Sequence, residues 1–253
     1  MKLSSKFSEN EVPYKTLEQF GLTREMVDDL PMRVLEDIYA GRRSPVLPIQ
    51  VTDNNGETVK SRTRFSLVRL DNGETDVVFY PVLKTSPLEK YSEAQQKQLL
   101  AGNTIIADVE LADGKHSKAF VQIDAGTKQV MSAPTPVIAR NLQVIAKELH
   151  LGSAEVRSIQ NGLPLTFVVE DDPVTLGIDL NTRTGIRLSD GDEQKWREQA
   201  HREWDKYTFG INGCWVMDDD GNLDYVKEEN YTEELWNEQK KQGQRNAALS
   251  IHK

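Results

Sequence analysis

The sequence predicts an α+β protein: three tandem modules, each a helix followed by a three-stranded antiparallel meander, and then a helix–hairpin–helix C-terminal element. Three observations carry this prediction. A short helical pattern ending in glycine recurs three times, and Gly41, Gly102 and Gly162 lie 61 and 60 residues apart. After each glycine come three apolar-alternating runs punctuated by turn residues. The last 63 residues differ from the rest in charge.

The first module spans residues 1–85. It carries an extra helical stretch, Tyr14–Leu30, and then its repeat helix, Met32–Gly41, after Pro31. Its strands read PVLPIQVT, VKSRTRFSLVRL and DVVFYPV, separated by DNNG and DNGE turns. Period-two alternation puts Phe65 and Leu67 on one face and Ser66 on the other. The second module, 86–135, has the helix Ser92–Gly102 and the runs NTIIADVEL, HSKAFVQID and KQVMSA, with an ADG turn after the first. The third, 136–190, opens with a helix Pro136–His150 whose Val137, Leu142, Ile145, Ala146 and Leu149 fall near helical spacing. Its repeat helix is Ser153–Gly162, followed by LPLTFVV, an EDDP turn, VTLGIDL and GIRLS. Ser92 and Ser153 are placed to cap their helices, and each terminal glycine suits a left-handed C-terminal residue. FVQIDAGTKQVM and TLGIDLNTRTGIRL share an Ile-Asp and a following Thr, so Asp124 and Asp179 read as acceptors that organise turns.

In the C-terminal element, 191–253, DEQKWREQAHREWDKY places Trp196, Ala200, Trp204 and Tyr207 on one stripe of a predicted helix 192–207. Cys214–Met217 and Leu223–Val226 can pair as a hairpin across Asp218, Asp219 and Asp220. A final helix is expected over Thr232–Gln242, with a frayed polar tail from Gly243. The acidic tip lacks the register of a calcium loop, because glycine falls at the fourth rather than the sixth position from Asp218. No metal site is therefore expected at this tip, and no cofactor is expected.

The 253 residues carry a net charge of −9, from 31 Lys+Arg and 40 Asp+Glu. By segment the balance is −1, −1, −2 and −5, so the acidity is concentrated in the C-terminal element. A globally basic nucleic-acid binder is excluded. No run approaches the ~20 apolar residues of a membrane helix, and the N-terminal residues lack a signal-peptide apolar region. A single cysteine, Cys214, forbids an internal disulfide and suits a reducing compartment, so a cytoplasmic location is expected.

Signals for catalysis are sparse. None of His116, His150, His201 and His252 pairs with another His or with Cys214 at metal-ligand spacing. No phosphate loop, dinucleotide fingerprint or nucleophile elbow is present, so no catalytic residues are assigned and an enzyme is not expected. Adjacent carboxylates such as Asp28-Asp29 and Asp171-Asp172 read as solvated surface. Two surfaces are candidates for binding. Arg42 and Arg43, with Lys60, Arg62 and Arg64 on one strand face, form a basic strip suited to nucleic-acid phosphates, unless neighbouring carboxylates neutralise it. The Trp196 and Trp204 stripe reads first as core-facing, and as the sharper alternative Trp196, Trp204, Trp215 and the Asp218–Asp220 tip form a candidate protein-interaction surface.

The segments LPMRVLEDIYAGRRSPVLPI, QQKQLLAGNTIIADVE, FVQIDAGTKQVM and WDKYTFGINGCWVMDDDGNLDYV resemble signature segments of uncharacterised domain-of-unknown-function proteins, similar to those carried by conjugative transposons of Bacteroidetes. The resemblance covers nearly the whole chain in order. It implies a cytoplasmic accessory protein of a mobile element and supplies no catalytic residues. Related modules also resemble those found beside DNA-processing domains. The leading expectation is a non-enzymatic interaction protein that presents its modules to a protein partner. The alternatives are a nucleic-acid-associated protein using the basic strip and an acidic DNA mimic or anti-defence inhibitor.

Overall fold

A three-stranded meander buries one face only when something is laid on it, and the chain repeats one solution to that constraint. The computed structural model describes residues 6–52, 55–110, 114–199 and 205–251, with only the backbone at 199 and 245–251. Four separate three-stranded antiparallel sheets alternate with helices. The first module has helices α1 (Tyr14–Gln19), α2 (Arg24–Asp28) and α3 (Met32–Tyr39), then strands β1 (Leu47–Thr52), β2 (Thr58–Arg69) and β3 (Thr75–Pro81). The second has α4 (Glu93–Leu100) and β4 (Ile105–Glu110), β5 (His116–Ile123) and β6 (Val130–Pro134). The third has α5 (Thr135–Glu148), α6 (Ser153–Gln160), β7 (Leu165–Val169), β8 (Asp172–Ile178) and β9 (Ile186–Asp190). After α7 (Glu193–Gln199) comes a fourth meander of β10 (Tyr207–Phe209), β11 (Gly213–Met217) and β12 (Leu223–Lys227), closed by α8 (Glu233–Ile251).

The three repeat helices end in the same hydrogen-bond pattern. Gly41, Gly102 and Gly162 adopt φ of +76°, +77° and +86°. In each case the next residue's N–H reaches back five positions: Arg42 to Asp37, Asn103 to Gln98 and Leu163 to Ser158. This satisfies helix carbonyls that would otherwise be orphaned and reverses the chain into the first strand. Helix starts are less uniform. Ser92 caps α4 in a reciprocal capping box with Gln95. In α6 the cap position is Gly152, not Ser153, and its N–H donates to the Glu155 carboxylate. The stretch expected as one helix over 14–30 is two helices. Gly21, at φ +76°, ends α1, and the Thr23 hydroxyl accepts from Met26 N to begin α2.

The fourth sheet departs most from expectation. Cys214–Met217 pairs with Leu223–Val226 as predicted, with Met217 opposite Leu223 and Cys214 opposite Val226. Tyr207, expected on the helical stripe, instead opens β10, which adds a third strand through Tyr207↔Val216 and Phe209↔Cys214. Ala200, His201, Trp204 and His252 lie outside the described residues, as do 53–54 in the DNNG turn and 111–113 around the ADG turn. The final helix continues through Gly243 to Ile251, beyond the predicted end at Gln242.

The chain divides into two compact units: Met1–Phe79 with Glu203–Lys253, and Tyr80–Arg202. The modules at 86–135 and 136–190 fall in the second unit. The C-terminal segment is shared, α7 in the second unit and the fourth sheet with α8 in the first. The core of the first unit gathers Leu17, Leu22, Val27, Ile38, Phe65 and Leu67, together with Trp215 and Leu223 from the fourth sheet. In the second unit β5 is covered on both faces. Val121 packs with Leu88, Leu99 and Ile105, whereas Phe120 packs with Ile138, Leu142 and Ile159. The α5 helix therefore serves two sheets, since Phe120 belongs to β5 and Leu176 and Ile186 of the same cluster belong to β8 and β9. Among the described residues no helix is long and apolar enough to cross a membrane.

The opposite face of the third sheet receives Trp196 of α7 at Gly177. A Cβ there would lie 2.7 Å from Trp196 Cζ2 and 3.1 Å from Pro164 Cβ. Gly177→Ala is expected to lower the unfolding free energy by about 1–3 kcal/mol in urea titrations through overpacking. The loss should shrink when Trp196→Phe is combined with it, a coupling that a double-mutant cycle measures.

Candidate functional site

Asp29, at the end of α2, is only 4% exposed, although its sequence context suggested a solvated carboxylate. Its partners come from the fourth sheet. Oδ1 accepts from Ile211 N at 2.7 Å and from Asn212 Nδ2 at 3.2 Å. Oδ2 accepts from Asn212 N at 3.0 Å and from Tyr225 Oη at 2.5 Å. A buried carboxylate with this many donors is satisfied without a cation. The approach is close enough that Gly210 has no room for a side chain, since a Cβ would meet Asp29 Cγ at 2.2 Å. Burial and the neighbouring Asp29 carboxylate push the Tyr225 hydroxyl far above the ordinary tyrosine range, so it remains a donor.

Two further bonds fix the same junction. Trp215 Nε1 donates to Met26 O at 3.1 Å, and Lys227 Nζ lies 3.0 Å from Glu25 Oε2. The β10–β11 connection is thereby held rigid, and it carries Ile211 at 89% exposure. Next to it runs a row of aromatic rings. Tyr207 and Phe209 have centroids 6.4 Å apart, Phe209 and Tyr231 5.9 Å, and Tyr231 and Trp236 5.1 Å. Trp236 is 39% exposed and the other three rings are half-buried. Exposed carboxylates adjoin the row in sequence at Glu228, Glu229, Glu233 and Glu234. Tyr207 Oη donates to Glu234 Oε1 at 2.6 Å, which raises the tyrosine hydroxyl above its usual range.

The residues singled out in the sequence fall into several environments, with Trp196 in the core as its helical stripe suggested. Trp215 is fully buried and Trp196 is 5% exposed, so both are core. Asp218, Asp219 and Asp220 are exposed at the β11–β12 tip. Asp218 organises that turn, accepting from the Asn222 side chain and backbone, and these bonds hold its carboxyl below the ordinary carboxylate range. Along β2 the basic residues change environment. Lys60 is exposed, whereas Arg62 donates to Leu223 O and Asp224 Oδ1, and Arg64 is 7% exposed and donates to Ser44 O. Arg42 lies 3.9 Å from Asp37 and is half-buried, as is Arg43. The strip therefore presents one outward cation, Lys60, on β2, and the buried Arg64 cannot reach a phosphate backbone as it stands. Trp236 and Tyr231 were missed as binding residues. Their signal was two aromatics five apart in NYTEELW, bracketing a helix start.

His116 and His150 are exposed in the second unit. Among the described residues no group of three or more His, Cys, Asp or Glu could hold a metal ion. Burial pushes the Cys214 thiol up to about 11, which suppresses its nucleophilic form.

In architecture the chain is an α+β protein built from repeated helix-plus-meander units. A family model described as "Protein of unknown function (DUF4099)" matches residues 7–91, which cover the first module and the entry to the second. No curated protein and no solved structure matches the chain.

Removing the acceptor of the buried donors should be costly. Asp29→Ala is expected to destabilise the protein by about 3 kcal/mol or more in urea unfolding, and Asp29→Asn by less, since the amide keeps one acceptor oxygen. At pH 8 Cys214 should be about a thousandth ionised. Its native reaction with a disulfide reagent should therefore be slow, accelerating with pH to about 11 and becoming fast at pH 8 on unfolding.

Proposed function

We propose that the chain is a non-enzymatic interaction protein, an accessory protein of a mobile genetic element, and that its partner surface is the aromatic row Tyr207, Phe209, Tyr231 and Trp236. The observation that carries this reading is the chain of ring contacts ending in the exposed Trp236, beside a loop locked by Asp29. Aromatic anchors on a rigid support suit recognition, because little conformational entropy is lost on binding. The rim of Glu228, Glu229, Glu233 and Glu234 favours a protein segment rich in Lys and Arg. The mobile-element context is supported by the resemblance of four sequence segments to proteins of conjugative transposons.

Deletion of the C-terminal segment is a poor test, because it strips Trp215 and Leu223 from the core of the first unit. Point substitutions are cleaner. Trp236→Ala is expected to reduce affinity for a fluorescein-labelled Arg/Lys-rich peptide at least 10-fold, read by fluorescence polarisation, a loss of about 1.4 kcal/mol or more. Glu233→Lys with Glu234→Lys should weaken binding similarly and reduce its salt dependence. Equal affinity for the peptide across these variants would remove the aromatic row as the partner surface.

A further inference from the structure

The second unit contains a cavity of about 890 Å³, within the range of small-molecule sites. Its walls are of two kinds. Leu88, Leu99, Leu100 and Ile123 with the Trp196 ring form an apolar lining. Lys84, Lys128, Arg187 and Arg197 line it too, against one carboxylate, Glu89. This excess of cations stands out in a chain whose net charge is −9.

The four cations are not equivalent. Arg197 is committed to structure, donating to Glu193 Oε1 and Asn103 Oδ1 at 2.7 Å each and reaching the Gly102 carbonyl at the end of α4. Arg187 is held in place but incompletely satisfied. Its Nε donates to Asp179 Oδ2 at 2.7 Å, and its guanidinium lies 3.9 Å from the centroid of the Trp196 ring. Its Nη1 is buried and has no hydrogen-bond partner among the described residues. A buried guanidinium donor left unpaired is expensive, so Arg187 is the least satisfied of the four cations. Lys84 and Lys128 are exposed, and Lys128 Nζ donates to the Lys84 carbonyl at 3.1 Å.

The wall carrying these lysines is fixed. Asp124 Oδ2 accepts from Thr127 Oγ1 at 2.8 Å, ordering the β5–β6 turn. Thr127 O in turn accepts from Leu83 N at 2.8 Å, and Gln129 Nε2 donates to Pro81 O at 2.9 Å. The segment before the second module is thus pinned to that turn, so the cavity is formed before anything enters it.

We propose that this cavity binds a small organic anion, a compound with one carboxylate, sulfonate or phosphate head on a flat apolar body. The head sits among Lys84, Lys128 and Arg187, and the body lies against Trp196 and the leucines. The cavity and the aromatic row share no residue, and neither proposal depends on the other.

The test uses the full chain with 8-anilinonaphthalene-1-sulfonate as the anionic probe and N-phenyl-1-naphthylamine as its neutral counterpart. Saturable binding of the sulfonate at one site per chain is expected, with the neutral probe at least 10-fold weaker. The variant Lys84→Glu with Lys128→Glu should bind the sulfonate at least 10-fold more weakly at an unchanged thermal midpoint. Leu100→Trp, at the rim of the cavity, narrows its mouth without altering charge and should also weaken both probes. Absence of saturable sulfonate binding would overturn the proposal. So would equal affinity for the neutral probe, or binding unaffected by both the charge-reversal and the Leu100→Trp variants.

Discussion

The first unit depends on one buried carboxylate. Asp29 joins segments 182 residues apart, and it does so through backbone N–H groups and a tyrosine hydroxyl rather than a cation. Donors aimed at a charge form the stronger class of hydrogen bond, contributing about 1.5–3 kcal/mol each, and they set direction as well as energy. With the 210–212 connection fixed in this way, Trp215 can sit in the core and donate to Met26, and Leu223 can join the same cluster. The same constraint dictates composition. Gly210 must lack a side chain because Asp29 occupies its space, and a Cβ at Gly213 would meet Val226 O at 2.5 Å. The aromatic row and the exposed Ile211 inherit their rigidity from this junction.

The second unit is organised by sharing rather than clamping. A meander leaves one face bare, and β5 resolves this by burying Phe120 against α5 and Val121 against the α4 side. One helix laid between two sheets removes more apolar surface from water than each module could bury alone, which is the energetic logic of repeats. The third sheet is likewise covered twice, by α5 and α6 on one face and by Trp196 of α7 on the other. The cavity lies beside this second covering, where Arg187 and Trp196 stack and where β5 and α4 supply the facing wall.

The local grammar was legible where it depends on neighbours in the chain. The recurrent glycines mark the helix ends, because a left-handed residue is needed there and a Cβ disfavours it. Asp124 and Asp179 were legible as turn acceptors for the same reason, accepting from Gly126 N and Asn181 N two residues on. The candidate binding residues were much less legible. Tyr207 continued a helical spacing but entered a strand, because pairing with Val216 outweighs a weak local preference. Arg62 and Arg64 shared a face with Lys60 as period two requires, yet their surroundings run from Leu223 O to the buried Ser44 carbonyl.

By itself the sequence determined the α+β class, the three-fold repeat of helix and meander, the pairing of the C-terminal hairpin and the concentration of acidity in the last 63 residues. These follow from period, turn chemistry and composition, which act over a few residues. Only the tertiary structure decided that Asp29 is buried, that Trp215 is core while Trp236 is exposed, that the hairpin gains β10, and that four cations line one cavity in the second unit. Burial and charge pairing are set by segments far apart in the chain. A carboxylate or a tryptophan therefore carries no local mark of whether it will meet water, a backbone donor or another ring.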